Sequence, residues 1–193
     1  MTYHDEESGR EEVFVYDNGM HEYFDERCMA GAEPIPASGW HIAPKWEGGE
    51  AQIILGFASD GQGQVMESFA NMIPTIQGGT HVKALRDAVS GAVRNVADTL
   101  GLMPKNLTVT KDDATAALSA LISIRVEEPS FAGQTKERLS NNEFVGEMTT
   151  QVRDELERLM NKHPAEAQAI VELAIERAQA RVKASKTVKR KKG

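Results

Sequence analysis

The chain has 193 residues, of which 40% are hydrophobic and 26% are charged, a composition typical of a globular protein with one sizeable core. No apolar run approaches the roughly 18 residues that a membrane-spanning helix needs, and the acidic start is unlike a signal peptide. The single cysteine, Cys28, excludes an internal disulfide and fits a reducing compartment, so we expect a cytoplasmic protein.

The net charge of −7 is distributed unevenly along the chain. Residues 177–193 hold eight of the 22 basic residues and no acidic one, so residues 1–176 hold 14 basic residues against all 29 acidic ones. An acidic body with a basic end has two interpretations, a solvated and frayed helix end or a segment that contacts nucleic-acid phosphates. In the second interpretation the contacting residues are Lys186, Lys189, Arg190, Lys191 and Lys192.

The first third of the chain alternates between strand-like and turn-like segments. Ile53, Leu55 and Phe57 share one face of a strand because side chains alternate with a period of two. Pro34 and Pro36 predict a loop, and Pro44 restricts the strand that follows to a sheet edge. The predicted elements are a strand at Glu11–Tyr16, a helix at Met20–Met29, a loop at Ala32–Trp40, an edge strand at His41–Trp46 and a strand at Ala51–Phe57.

The middle of the chain contains a glycine pair between a strand and a long helix. Val65–Asn71 is expected to return as the second arm of a hairpin with the preceding strand. Gly78 and Gly79 permit backbone conformations closed to other residues and predict a tight turn, with an anion site at the helix start as the alternative. Thr80 is expected to cap a helix that runs to about Leu100.

The last third of the chain is predicted to be mainly helical. Thr110 resembles the cap of a short helix. The adjacent Asp112 and Asp113 are more commonly acids at a helix start than metal ligands. Ile122–Glu127 alternates between apolar and polar residues and predicts a half-buried strand. Two helices should follow, one from about Asn142 and one from Pro164, since proline suits the first helical position. The chain then divides into a flexible segment 1–10, a core 11–163 and a C-terminal helix with its basic tail 164–193.

Several kinds of catalytic motif are missing from the sequence. The five histidines and Cys28 show no zinc-ligand spacing, so no metal site is predicted. Neither a Gly-x-Ser-x-Gly nucleophile turn nor a Walker loop occurs. The sequence therefore predicts a chain that is not a self-contained enzyme.

One polar stretch, Phe131–Ser140, offers groups that suit a phosphate. Gly133 precedes Gln134, Thr135 and Lys136, which supply an amide, a hydroxyl and an ammonium in succession. A lone lysine in a polar loop is usually a solvated charge, but as a point charge it also suits phosphate. If the loop is extended, Gln134 and Lys136 point the same way, since residues two apart share a face.

Two stretches resemble the motifs of a known family. Residues 133–139, Gly-Gln-Thr-Lys-Glu-Arg-Leu, are similar to the Gln-Thr-Lys loop of the B subunits of bacterial type IIA topoisomerases. Residues 68–81 resemble the second signature of the same subunits, and Phe14–Gly19 resembles the strand that opens the same domain. The Ile-Pro-Thr at residues 73–75 is more similar to the topoisomerase IV branch than to gyrase. The resemblance runs from about Glu11 to Lys192.

The resemblance implies an isolated transducer domain, the second half of the ATPase region. Its fold would be an α/β sandwich (α+β) like domain 2 of ribosomal protein S five, a mainly antiparallel sheet backed by helices, with long C-terminal helices. Carried over from the family, Gln134 and Lys136 bind the terminal phosphate of ATP and Lys136 is catalytic. Gly133 and Thr135 would shape the loop.

The resemblance also implies cofactors and partners that lie outside this chain. ATP and Mg²⁺ would be held by a preceding ATPase domain, and this chain alone would bind neither tightly and would be inactive. Further partners would be the catalytic metal-binding domain of the same protein, the A subunit of topoisomerase IV and DNA, with no membrane involved. The chain alone would be a monomer, and the B subunits of the holoenzyme would form a homodimer.

The function implied is that of an ATP-driven isomerase that changes DNA topology by strand passage, in which this domain senses the terminal phosphate. An alternative of another class is a stand-alone nucleic-acid-binding module that acts through the basic tail. A third interpretation is a purely structural dimer spacer.

Overall fold

A six-stranded sheet forms the centre of the protein in a computed structural model. The structure describes residues 2–4, 11–13, 19–29, 31–61 and 65–190, and side chains within 19–29, 31–61 and 65–186. The strands are β1 (Thr2–His4), β2 (Glu11–Val13), β3 (Pro34–Ile42), β4 (Lys45–Trp46), β5 (Gly49–Ala58), β6 (Met66–Ala70), β7 (Ile73–Pro74) and β8 (Leu118–Val126). The helices are α1 (Met20–Arg27), α2 (Thr80–Thr99), α3 (Lys111–Ala114), α4 (Val145–Lys162) and α5 (Pro164–Arg190).

The order of strands in the central sheet is β3-β5-β8-β6-β7, and β4 pairs with one end of β5. β5 and β8 pair antiparallel along their length, from Gly49 opposite Val126 to Phe57 opposite Leu118. Every pairing in this sheet is antiparallel except that of β6 with β8. The mainly antiparallel sheet backed by helices, which the resemblance implied, is therefore confirmed.

The two faces of the sheet are covered unequally. Ile53, Leu55 and Phe57 of β5 pack in the main core with residues of α2, α4 and α5, as their period of two predicted. Ile54 points to the other face, where Phe24 of α1 packs in a smaller cluster. Each such buried aliphatic or aromatic side chain contributes roughly 1.5–3 kcal/mol, so the larger cluster is the principal source of stability.

β3 corrects the prediction of a loop at Ala32–Trp40. The strand tolerates Pro34 and Pro36 because it is an edge strand, where a missing N–H leaves no central ladder bond unmade. Its pairing with β5 is irregular between Ile35 and Trp40, which accommodates the prolines. The edge strand predicted at His41–Trp46 is divided between the end of β3 and β4, and both pair with β5.

β6 corrects a second prediction, that Val65–Asn71 forms a hairpin with the preceding strand. β6 instead pairs in parallel with β8, from Met66 opposite Ala120 to Ala70 opposite Ile124. A parallel pair needs a long crossover, and α2 supplies it between the two strands. The long apolar strand β8 thus takes the place beside β5 that the hairpin would have given to β6.

The predicted helices and the remaining strands are largely confirmed. The helix predicted from Thr80 is α2, the one from about Asn142 is α4, which begins at Val145, and Pro164 opens α5. The strand predicted at Glu11–Tyr16 begins as β2, which pairs with β1, while residues 14–18 lie outside the described part of the chain. No helix among the described residues combines the length and apolar character that a membrane span requires.

Thr110 caps α3 as predicted, and its partner Asp113 also anchors the last helix. The Asp113 N–H donates to Thr110 Oγ1, and the Asp113 carboxylate accepts from the Thr110 N–H, which completes a capping box. Arg181 of α5 donates to the same carboxylate at 2.8 Å and to the Thr108 carbonyl at 2.9 Å. Burial alone would raise the pKa of Asp113, but the hydrogen bonds from Arg181 and Thr110 outweigh it and lower that pKa. The carboxylate is therefore a cap and an ion-pair partner.

Candidate functional site

The Gln-Thr-Lys loop (Phe131–Leu139) is a narrow projection closed at its base. The Ala132 N–H donates to the Arg138 carbonyl at 2.9 Å, and Phe131 and Leu139 form an antiparallel bridge. The Leu139 side chain is buried in the main core. The two ends of the loop are thereby held together and fixed to the body of the protein.

The tip of the loop carries the residues expected to bind phosphate. Gln134, Thr135 and Lys136 are exposed, and no hydrogen bond or ion pair joins their side chains to another described residue. Gly133 has φ 89° and Lys136 has φ 55°, and residues 134–135 form a turn. The argument that residues two apart share a face therefore does not hold here, because the backbone is not extended. Lys136 adopts a left-handed conformation that strains the backbone by on the order of 1 kcal/mol.

The base of the loop docks on the glycine pair of the second signature. The Leu139 N–H donates to the Gly78 carbonyl, and the Thr80 N–H donates to the Leu139 carbonyl, each at 3.1 Å. The Gln77 N–H donates to the Glu137 carbonyl at 3.0 Å, and the Gln77 side-chain amide donates to the Glu137 carboxylate at 2.5 Å. The two motifs that carry the resemblance are therefore parts of one hydrogen-bonded unit.

Gly79 permits this docking because it has no side chain. A Cβ placed on Gly79 would stand 2.3 Å from the carbonyl oxygen of Leu139 and 2.7 Å from its nitrogen. The residue also has φ 143°, which other residues rarely adopt. The tight turn predicted for the glycine pair is confirmed, and the close approach of two backbones is the feature that the sequence did not reveal.

The start of α2 differs from the prediction that Thr80 caps it. The N-cap residue is Gly79, and no side chain caps the helix. Thr80 instead uses its backbone N–H for the bond to Leu139, and its buried hydroxyl has no partner among the described residues. Because the docking on Leu139 requires a glycine at position 79, the N-cap of α2 has no side chain that could cap the helix.

A buried polar network supports the second signature from below. The Thr75 hydroxyl contacts the Ser68 hydroxyl at 2.7 Å and His81 Nε2 at 3.2 Å, and the Thr75 N–H donates to the Ser68 carbonyl. His81 is fully buried, and burial lowers its pKa to about 4. His81 is therefore neutral at physiological pH, since a charged ring would lack solvation there.

The other predicted site residues lie elsewhere or outside the described part. Lys186 is exposed on α5, Lys189 and Arg190 belong to α5 without described side chains, and Lys191 and Lys192 are not described. Among the described residues no hydrogen bond or ion pair joins Lys186 to the Gln-Thr-Lys loop. Within the same residues no group of three His, Cys, Asp or Glu side chains is placed to hold a metal ion.

Comparison with known proteins assigns the chain to a family. A family model described as DNA gyrase B matches residues 18–190. The chain belongs to the DNA gyrase B family. This confirms the resemblance to the B subunits of type IIA topoisomerases.

Curated members of the family match the chain at moderate identity. The B subunit of DNA topoisomerase 4 from Haemophilus influenzae is 32% identical over 188 residues, and that from Escherichia coli is 30% identical over 194 residues. These alignments cover 97% and 100% of the chain but 30% of each relative. The B subunit of DNA gyrase from Cytophaga hutchinsonii is 41% identical over 120 residues, which is 62% of the chain and 25% of that relative. The chain thus matches 25–30% of the length of these relatives.

Solved structures show the same fold in longer chains. The topoisomerase IV ATP binding domain of Francisella tularensis, with 30% identity, superposes with a TM-score of 0.78 over 94% of this chain and 48% of that one. The 43K ATPase domain of Thermus thermophilus gyrase B, with 28% identity, gives 0.82 over 97% of this chain and 50% of that one. The chain therefore has the fold of about half of each of these structures.

We predict that Gly79→Ala destabilises the protein far more than Gly101→Ala. Both glycines have positive φ, but no atom lies within 4 Å of a Cβ at Gly101. Gly101→Ala should cost about 1 kcal/mol of backbone strain, and Gly79→Ala about 3 kcal/mol or more, because the methyl group also collides with Leu139. Urea unfolding measures both free energies, and equal losses would contradict the docking role of Gly79.

We predict that His81 makes the protein less stable in mild acid. Because the pKa is about 4 in the folded state and about 6.5 when unfolded, the unfolded state binds the extra proton between these values. The free energy of unfolding should fall by about 3 kcal/mol as pH falls from about 6.5 to about 4. His81→Gln should remove this part of the pH dependence, and parallel stability curves for both proteins would refute it.

Proposed function

We propose that the chain is the transducer region of the B subunit of an ATP-dependent type IIA topoisomerase, of the topoisomerase IV branch. The observation that carries this proposal is the pair of free side chains, Gln134 and Lys136, at the tip of a loop with a fixed base. The Ile-Pro-Thr at residues 73–75 and the match of 97–100% of the chain to 30% of the B subunits of topoisomerase 4 support that branch. The whole B subunit would be part of an isomerase that works in the cytoplasm.

The loop suits one end of a nucleotide that another domain holds. An exposed ammonium and an exposed amide fit an anionic oxygen. The other charged residues of the loop are Glu137, which accepts from Gln77, and the exposed Arg138, which are too few to enclose a phosphate. Neither ATP nor Mg²⁺ would bind tightly to this chain alone. Solved relatives titled as ATP-binding and ATPase domains are about twice as long as the matched part, which leaves room for the nucleotide-holding domain.

The chain's own residues would act as a phosphate sensor. Lys136 attracts the terminal phosphate as a point charge, and Gln134 donates a hydrogen bond to it. When that phosphate is released, both side chains lose their partner. The difference in interactions between the phosphate-bound and released states drives a displacement of the loop. The rigid base connects the tip to α2 through Gly78, Thr80 and Leu139, so displacement of the loop reaches the helical layer. ATP hydrolysis itself belongs to the nucleotide-holding domain.

The proposal assigns partners to the chain in the assembled enzyme. Within the same polypeptide these are the ATPase domain and the catalytic metal-binding domain. Outside it they are a second copy of the B subunit, the A subunit of topoisomerase IV and the DNA that is passed. The chain alone would be a monomer without activity, because the nucleotide and the cleavage chemistry lie in other parts of the enzyme.

We predict that Lys136→Ala in the full-length B subunit lowers the rate of ATP hydrolysis about a hundredfold, the usual effect of removing one donor that stabilises charge in a transition state. Alanine and lysine bear similar backbone strain at positive φ, so the change removes the charge and preserves the fold. Lys105→Ala, which removes an exposed lysine elsewhere, serves as the control. Normal hydrolysis in the Lys136 variant, measured by steady-state phosphate release, would refute the sensor role.

A second candidate function is nucleic-acid binding through the end of α5. The observation that favours it is the exposure of Lys186 on a helix that carries no acidic residue after Glu176. A truncation after Glu176 would also delete Arg181, which anchors α5 to Asp113, so substitution is the cleaner change.

We predict for this second function that replacing Lys186, Lys189, Arg190, Lys191 and Lys192 by Gln weakens DNA binding. The slope of log affinity against log salt should become shallower by about 0.9 for each phosphate that the variant no longer neutralises. Fluorescence anisotropy with duplex DNA at several salt concentrations measures both quantities. An unchanged slope would exclude the tail as the DNA-binding segment.

A further inference from the structure

Ile76 is the most exposed large apolar side chain in the described part of the protein, with 77% of its surface open to solvent. It lies in a turn that the Gly78 N–H closes by donating to the Thr75 carbonyl at 2.7 Å. Exposed turns favour glycine, proline, asparagine, aspartate and serine for conformational or hydrogen-bonding reasons. Isoleucine has none of these advantages, so turn chemistry does not account for it.

The backbone on both sides of Ile76 is fixed. Thr75 is buried and bonded to Ser68 and His81, and the Gln77 N–H donates to the Glu137 carbonyl. An apolar side chain on a rigid backbone contacts a partner with little loss of conformational entropy. Ile76 therefore has the properties of an interface anchor, which distinguish it from an isolated exposed residue on a loose loop.

Ile76 lies beside the phosphate-sensing residues. It is one residue from Gln77, and Lys136 is one residue from Glu137, the partner of Gln77. The Glu137 carboxylate accepts from the Gln77 side chain, whereas Lys136 and Arg138 are exposed with no ion pair among the described residues. The surface thus presents an apolar group next to a cation. It is complementary to a partner that carries an apolar contact next to a bound phosphate.

We infer that Ile76 is the apolar anchor by which this region docks on the nucleotide-holding part of the B subunit. This inference rests on the proposed function, in which Lys136 meets a phosphate that another domain of the same polypeptide holds. The chain corresponds to about half of each of two solved ATPase-region chains, and the other half is the occupant. Ile76 stabilises the docked state, and Lys136 makes that state depend on the nucleotide.

The test is backbone hydrogen exchange of residues 131–139 in the full-length B subunit, titrated with a non-hydrolysable ATP analogue. Ile76→Ser should raise the analogue concentration that gives half-maximal protection by roughly tenfold, the effect of losing one apolar anchor. Leu100→Ser is the matched control. Leu100 is 41% exposed and lies at the far end of α2, about 30 Å from Gly79 by helix length. Ile76→Ser should keep the thermal midpoint of the wild type because its side chain is open to solvent, and Leu100→Ser should lower it slightly because that side chain is partly covered.

The outcomes separate this inference from the function on which it rests. Analogue-dependent protection that is equal in the wild type and in Ile76→Ser would overturn the anchor and leave the phosphate sensor intact. Loss of dimers with unchanged protection would assign Ile76 to an interface between two copies and would also overturn it. Absence of any analogue-dependent protection in the wild type would overturn the sensor and the anchor together.

Discussion

The close approach of the Gly79 and Leu139 backbones is the constraint on which the candidate site depends. It joins the turn that precedes α2 to a loop that projects into solvent. Gly79 leaves room for the Leu139 backbone because it has no side chain. The buried Leu139 side chain attaches the loop to the core. The loop can present an exposed tip on a rigid base only because these two backbones meet.

The same constraint connects the loop to the rest of the fold. Gly79 is the N-cap of α2, whose buried face packs against α4, α5 and the sheet. The network of Ser68, Thr75 and His81 ties the turn to β6, which pairs with the central strand β8. Closely packed cores transmit displacement rather than absorb it. The ion pair of Asp113 and Arg181 holds α5 to α3, so the long helix is also joined to the packed layer.

Local sequence patterns predicted the elements better than their pairing. The spacing of apolar residues located α2, α4 and the strand Ala51–Phe57, and Pro164 located the start of α5, because these depend on neighbours along the chain. The position of β6 beside β8 depends on which distant strand competes for β5, and no local pattern encodes that competition. The prolines of β3 led to the wrong prediction of a loop for a related reason. The free-energy cost of a proline in a strand depends on whether that strand lies at a sheet edge.

The candidate site shows the same division. The sequence identified Gln134 and Lys136 from their chemistry and from a resemblance between motifs. It did not reveal that Gly79 meets Leu139, because two positions sixty residues apart approach only in the folded chain. The pair Gly78-Gly79 was the available signal of this close approach, but a tight turn alone accounted for the pair equally well. The conformation of Lys136 also escaped prediction, since lysine rarely adopts positive φ.

The strain at Lys136 supports the interpretation of the loop as half of a site. A free lysine on a solvated loop would relax to an ordinary backbone conformation unless the surrounding structure prevented it. Here the bridge at the base of the loop and the docking on Gly78 and Thr80 hold the backbone in place. The ordering of the loop base is therefore achieved when the chain folds and does not have to be achieved when a phosphate arrives. A charge on a backbone that is held in advance, and left without a partner among the described residues, is the state expected of a group whose counterpart lies in another domain.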